Sequence, residues 1–404
     1  MAENTQISVL NLIKEKSRAI APKLVEIRRH LHQNPELSYK EFETSNYLKK
    51  WLEPVAMEVR TDYAETGLVG IIQGNKPGSV VALRGDIDAL PIKEQTGLSF
   101  ASKNKGVMHA CGHDSHATVA LGAGLILSEL KDQLKGCVKI ILQPGEEKNP
   151  GGASIMVGNG VLKDPDVDVI FGVHSDPRYG VGEIGYRDGA TMAEANEFII
   201  TIKGKGGHGA TPHLTIDPIV IAAHVILSLQ NISSRMVDPQ DQVVVTVGKV
   251  CGGKTTNVIP TEVELMGTVR TFKPGLSQDI EAMMRRIVGG ITSAYDAEND
   301  FKMSYGSPAV INDEEVTQFL LQSAHQYIGE NNCHYIEKPS MGAEDFSFYL
   351  QEVPGCFFRL GTGNQEKGIT SVFHQSTYDI DEDALPIGAG FMAYLAYNYL
   401  ANQA

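Results

Sequence analysis

The sequence predicts an α/β protein of two domains. A large mixed, mostly parallel sheet flanked by helices is interrupted by an inserted βαββαβ domain of ferredoxin-like order. Three observations lead there. A chain of 404 residues exceeds what one hydrophobic core usually serves. Up to residue 187, short runs of Val, Ile and Leu alternate with helical stretches, and the runs are apolar nearly throughout, as in strands buried on both faces. From residue 188 the rhythm changes to strand, helix, strand, strand, helix, strand.

Residues 7–32 set Val9, Leu12, Ile13, Ile20, Leu24, Ile27 and Leu31 at helical spacing. Pro22 should kink or divide that helix, which stops before Pro35. A second helix, over 40–52, carries Phe42, Tyr47, Leu48 and Trp51. GLVGIIQG and SVVALRGDID read as strands and HATVALGAGLILSEL as a helix rich in small residues; CVKIILQPGEE, VDVIFGVH and GEIGYR read as further strands. In the insert, EANEFIITIKG is a strand and DPIVIAAHVILSLQNISSR a helix with proline at its start. DQVVVTVGKV and TEVELMGTVRTF follow as consecutive strands, then the helix LSQDIEAMMRRIVGGITSAY and the strand DFKMSYG. A helix over 313–329, the strand CFFRLGTG and a closing helix over 384–401 complete the large domain. Residues 1–187 and 305–404 therefore form the large domain, and 188–304 the insert.

Composition narrows the function. A formal net charge of −14 argues against nucleic acid as a partner, because phosphate contacts need clustered Lys and Arg. No apolar run reaches the roughly 18 residues that span a bilayer, so no membrane partner is expected. The first residues, MAENTQISVLNLIKEKSRAIAPK, lack the apolar block of a secretory signal, which predicts a soluble, cytoplasmic protein. The five cysteines (111, 137, 251, 333 and 356) are odd in number and widely spaced, unlike a disulfide framework. Cys137 and Cys356 sit in apolar runs, as buried thiols do.

The chemistry-bearing residues fall at strand ends or just beyond them. Asp86 and Asp88 end one strand, Glu146 and Glu147 follow another, and His174 ends a third. Cys111 and His113 lie in a loop that opens a helix, and His374 lies in the late loop SVFHQST. Ligands of a parallel α/β sheet bind beyond the carboxyl ends of its strands, so these residues can converge on one rim. Thiolate, imidazole and carboxylate together are the ligand set of zinc and related divalent ions. Of the adjacent pair Glu146-Glu147, one carboxylate can bind metal while its neighbour accepts a proton from water.

The phrases RRHLHQNPELSYKEFET, RGDIDALPI, MHACGHDSHAT, QPGEE, GKGGHGATPH, NVIP, GTVR, MGAEDFSFY and VFHQSTYD resemble the M20 metallopeptidase family. The resemblance is to its amidohydrolase branch of hippurate hydrolases, N-acyl-amino-acid deacylases and auxin-conjugate hydrolases. It runs in order from about residue 20 to the C-terminus. It implies a di-metal catalytic domain interrupted by a lid domain that also mediates homodimerisation. It also implies hydrolysis of the amide bond of small N-acyl amino acids. Carried over residue by residue, the metal ligands are Cys111, His113, Glu147, His174 and His374, and Glu146 is the general base. The two divalent ions could be zinc, manganese, cobalt or nickel.

Much of the wider family has His-x-Asp where this chain has Asp86-Ile87-Asp88, so Cys111 takes the place of the missing ligand, and Asp88 is a supporting carboxylate. His208 matches a histidine that donates to the oxyanion of the attacked amide. Asn257 and Arg270 are candidate substrate-binding groups, Arg270 for a substrate carboxylate; Glu344 and the Gly361–Gly363 loop are expected to line the cleft.

A dipeptidase or carboxypeptidase of the same family would use the same chemistry. Two readings of other classes stand beside it. Cys111 with His113 or His116 could be a thiol nucleophile and its base, without metal. Or the chain could be a binding protein that kept the fold without catalysis.

Overall fold

The computed structural model describes residues 2–402. The chain divides into two compact units. The first comprises residues up to Gly189, Ile311–Lys338 and the chain from Asp345 onward; the second comprises Ala190–Val310 and Pro339–Glu344.

The first unit is built on an eight-stranded mixed sheet. Its order is Glu58–Tyr63, Gly67–Gln73, Lys135–Gln143, Lys76–Asp86, Val169–Gly180, Gly355–Gly363, Ile184–Tyr186, Cys333–Tyr335. The four central strands, Lys135–Gln143 through Gly355–Gly363, are mutually parallel, and antiparallel neighbours extend the sheet on both sides. Gly355–Gly363 is buried at every position and Lys135–Gln143 at all but its first, which is why both read as unbroken apolar runs. Helices Ala2–Gln33, His113–Ser128 and Ala384–Asn402 pack with the sheet around a core that includes Leu24, Leu31, Leu83, Ile140, Phe358 and Phe391. The strand Glu58–Tyr63 was not expected: EVRTDY is half-exposed and lacks an apolar face.

Pro22 does not divide the first helix, which runs unbroken from Ala2 to Gln33. An internal proline costs about 3 kcal/mol. Against this, Val9, Ile13, Ile20, Leu24, Ile27 and Leu31 are all buried, each worth about 1.5–3 kcal/mol. The buried face on both sides of Pro22 outweighs the lost hydrogen bond.

The second unit carries a four-stranded antiparallel sheet in the order Val243–Gly252, Glu262–Thr271, Glu194–Lys203, Glu298–Tyr305. Phe198, Ile200 and Ile202 alternate with more exposed residues, so one face of the central strand is buried. Helices Pro218–Asn231 and Leu276–Ala294 contribute Val225, Leu229, Ile280, Met284 and Val288 to the same core. Asp217 caps the first of these by accepting from Ile219 N (2.9 Å), with Pro218 at the first helical position. The stretch Pro218–Met236 is long and apolar enough, by length and composition alone, to cross a bilayer. Here its Ile221, Val225, Leu229 and Ile232 are buried in the unit's core.

Candidate metal centre and active site

The parallel register brings the predicted residues of the first unit to one rim. Asp86, the last residue of its strand, pairs with Gln143, so Ile87-Asp88 and Pro144–Glu147 leave the sheet side by side. His174 lies on the neighbouring strand, opposite Arg359. Cys111 and His113 flank Gly112, which has φ +87°. A Cβ at Gly112 would lie 2.3 Å from Ser175 Oγ and 2.6 Å from Tyr378 Oη, so this hinge admits only glycine. His374 also sits in the left-handed region (φ +62°), and its backbone N donates to Ala110 O at 2.8 Å.

These side chains face one another. Cys111 Sγ is 3.5 Å from His174 Nε2, and His374 Nε2 is 3.1 Å from Glu147 Oε1. His113 Nε2 stands 3.7 Å from Asp86 Oδ2, 3.9 Å from Glu147 Oε1 and 4.0 Å from Glu146 Oε2. Ligating atoms lie within 4.8 Å of one another in the groups Cys111–His113–His174, Cys111–Glu147–His374 and His113–Glu146–Glu147.

Hydrogen bonds on the far side of the His113 and His174 rings leave their Nε2 atoms facing the cluster. His174 Nδ1 donates to Ser175 O (2.7 Å), and His113 Nδ1 faces Asp88 Oδ1 (3.1 Å). His113 Nε2 is buried and makes no hydrogen bond, at a cost of about 1–3 kcal/mol unless something else meets it. A divalent cation held by residues among Cys111, His113, Glu147, His174 and His374 would meet it, and the mixed S, N and O donors suit zinc and its neighbours.

The electrostatics agree. Burial, reinforced by Glu147, pushes the Cys111 thiol up to about 12. Burial and the adjacent His116 hold His174 well below the usual imidazole value. Burial also disfavours charge on His113, but Asp86 and Asp88 outweigh it and raise that ring well above its ordinary value. The bond to Glu147 raises His374. Protons on Cys111 and His113 are what a bound metal displaces.

A layer of polar partners fixes the ligands. Asp88 Oδ1 faces His113, while Oδ2 accepts from Glu147 N (3.0 Å) and Ser38 Oγ (2.7 Å). Asp86 is held by Arg84 Nη1 (2.8 Å) and His116 Nδ1 (2.7 Å). His116 Nε2 accepts from Ser175 N (2.7 Å), so both nitrogens of that ring are hydrogen-bonded within the protein. Asp114, next to His113, binds the buried Arg28 (2.9 Å) and His32 (2.8 Å), and Arg28 reaches on to Asp379 (2.7 Å) beyond His374. Sequence reasoning assigned no role to Arg28, His32 or Asp114. The available signal was Arg28 itself, a charge between Leu24 and Leu31 on the apolar face of the first helix.

The remaining predicted residues are placed as follows. His208 is exposed on the two-residue strand Gly207–His208, which pairs with Val258–Ile259 beside Asn257. Ala210 N donates to His208 Nδ1 (3.0 Å), which leaves the proton on Nε2. Asn257 is exposed. Arg270 is half-buried on Glu262–Thr271, with Nε donating to Thr268 Oγ1 at 3.2 Å. Glu344 is buried at the end of Pro339–Glu344. Gly361 corrects an expectation: Gly361–Gly363 is no loop but the end of a buried strand. Gly361 pairs with Asp176 and donates its N–H to Glu183 O (2.9 Å), so the sheet ladder absorbs its backbone.

The sequence model of peptidase family M20/M25/M40 matches residues 82–398. The chain is 39% identical over 388 residues to N-acetyl-L-cysteine deacetylase of Bacillus subtilis, covering 95% of this chain and 90% of that one. It is 39% identical over 396 residues to thermostable carboxypeptidase 2 of Saccharolobus solfataricus, covering 97% and 99%. Among solved structures, a dinuclear metal-binding peptidase of Bacillus subtilis superposes with a TM-score of 0.82 at 37% identity, covering 95% of this chain and 99% of that one.

Proposed function

The chain belongs to peptidase family M20/M25/M40 and is a metal-dependent hydrolase; we propose that it cleaves the amide bond of small N-acyl amino acids, giving a carboxylic acid and a free amino acid. The observation that carries the reading is the Glu146-Glu147 pair at the rim. Glu147 lies within ligating distance of Cys111 and His374, and Glu146, its neighbour in the chain, stands 4.0 Å from His113 Nε2. Two divalent ions held by Cys111, His113, Glu147, His174 and His374 would acidify water and polarise the scissile carbonyl.

The chain's own groups do the rest. Glu146 takes the proton of the attacking water and returns it to the leaving amine. Asp88 holds His113 by its ring and Glu147 by its backbone, so that both carboxylate and imidazole keep their aim. His208, with its proton on Nε2, supplies a donor to the tetrahedral oxyanion. Arg270 offers a guanidinium to the substrate carboxylate, and Asn257 and Glu344 complete the substrate contacts.

The second unit serves as the lid and as the homodimer contact. Its chain order and antiparallel 4-1-3-2 sheet order support a ferredoxin-like lid. Ile219, Val220 and Leu227 expose apolar side chains on Pro218–Asn231, and Val243–Gly252 is an edge strand with Val250 exposed. Five free cysteines suit a reducing, cytoplasmic setting.

The relatives favour a second reading in one respect only: the carboxypeptidase likeness supports dipeptide or peptide substrates handled by the same residues. A hydrolysis screen of N-acetyl amino acids, N-benzoyl amino acids and dipeptides, each with zinc, manganese, cobalt and nickel, separates them. The acyl compounds are expected to be turned over faster, exhaustive chelation to silence the protein, and metal to restore it. Faster cleavage of dipeptides would install the second reading. Full activity of metal-free protein would return Cys111 to the role of nucleophile.

A further inference from the structure

In the motif ELSYKE, residues 36–41, only Ser38 has a part in the site described above, through its bond to Asp88, yet the motif also grips the loop that carries Glu146 and Glu147. Glu41 is fully buried. Its Oε1 accepts from Gly145 N and from Tyr39 N, both at 2.9 Å, and its Oε2 accepts from Thr66 Oγ1 at 2.8 Å. Tyr39 Oη donates to Lys148 O at 3.0 Å. The Tyr39 ring lies so close to Gly145 that a Cβ there would come within 2.5 Å of it. Tyr39 itself has φ +63°, a conformation that a bulky residue holds only when its surroundings enforce it. The enforcing contacts are its own N–H to Glu41 and the Lys40 N to Leu37 O bond of 2.9 Å.

The loop is therefore fastened on both sides of the glutamate pair, at Gly145 before it and at Lys148 after it. A buried carboxylate is costly to desolvate, and this one spends its acceptor capacity on the loop and on the strained turn that grips it. We propose that Glu41 and Tyr39 are positioning residues for the active site, which fix the backbone of Pro144–Lys148 and so set where the Glu146 and Glu147 carboxylates stand. The proposal rests on the roles given above to those two glutamates.

The test uses the full-length protein and two readouts: cobalt(II) affinity by chelator competition, read without substrate, and kcat and KM on the best N-acyl amino acid. Glu41→Ala is expected to lower cobalt affinity, kcat or both by about 10–100-fold with KM little changed, as loss of an outer support does. Glu41→Gln keeps an oxygen for Gly145 N and Tyr39 N and is expected to recover both to within about threefold of wild type. Tyr39→Phe keeps the ring and loses the Lys148 bond, so kcat is expected to fall several-fold at unchanged Tm. Wild-type cobalt affinity and kcat in Glu41→Ala would overturn the proposal, as would a Glu41→Gln protein no better than Glu41→Ala. Should Glu41→Ala not fold, wild-type values of both readouts in Tyr39→Phe would overturn it equally. If wild type binds cobalt but hydrolyses nothing, the functional reading fails while cobalt affinity still decides the positioning.

Discussion

Asp88 joins the two kinds of support the centre needs, a ring held by its nitrogen and a ligand held by its backbone. Burial would raise its carboxyl, but the bonds from His113, Ser38 and Glu147 outweigh that and keep it below the ordinary aspartate value, hence ionised and able to accept. Asp88→Ala removes both holds at once. We expect metal affinity to fall by about 10–100-fold, measured by chelator competition, with the fold intact by circular dichroism. Unchanged affinity would mean the ligands keep their places without it. Cys111, His113, Glu146, Glu147, His174 and His374 stood out in the sequence because their residue types fall together at strand ends or in the loops beyond them, and the family resemblance supplied the roles proposed for them. Glu41 and Arg28 did not, since a carboxylate or a guanidinium that acts through another residue looks, in sequence, like any other polar group.

At the scale of elements, one buried cation ties three segments together. Arg28, on Ala2–Gln33, binds Asp114 at the start of the ligand-bearing helix and Asp379 in the loop beyond His374. Burial alone would raise the Asp114 carboxyl, but Arg28 and then His32 override it and hold it well below the usual range. A depressed acid stabilises the fold above its unfolded value, about 3.9, and that contribution is lost as pH falls through the folded value. Arg28→Met strips the partner from a buried charge and should cost about 3–5 kcal/mol at pH 7, read by urea denaturation. The gap from wild type should narrow below about pH 4, where the unfolded aspartate also takes up its proton. A gap that stays constant down to pH 2 would contradict this account. Helices and strands with strong apolar periodicity were readable, whereas Glu58–Tyr63 was not, because a half-exposed edge strand leaves no apolar pattern to read. Pro22 misled for the complementary reason: local propensity gave way to a face buried on both sides of the proline.

For the whole molecule, the division into an α/β unit and a βαββαβ unit shows in the changing rhythm of apolar runs, but its seams lie in contacts no pattern reveals. Pro339–Glu344 clusters with the second unit although it lies far along the chain from it. Ile219, Val220 and Leu227 are exposed on Pro218–Asn231, the face proposed above as the homodimer contact. Leu227→Asp is expected to convert a dimer to monomers by analytical ultracentrifugation without lowering Tm, and a variant that still sediments as a dimer would move the contact elsewhere. The central claim, that this chain uses a metal centre with Glu146 as its proton carrier, is tested most directly by Glu146→Gln. Metal content and N-acyl amino acid hydrolysis are measured on the same preparation. We predict wild-type metal stoichiometry with turnover lower by at least about a hundredfold, in the range expected for loss of a general base. Retained turnover would remove Glu146 from the mechanism, and lost metal would make it a ligand instead.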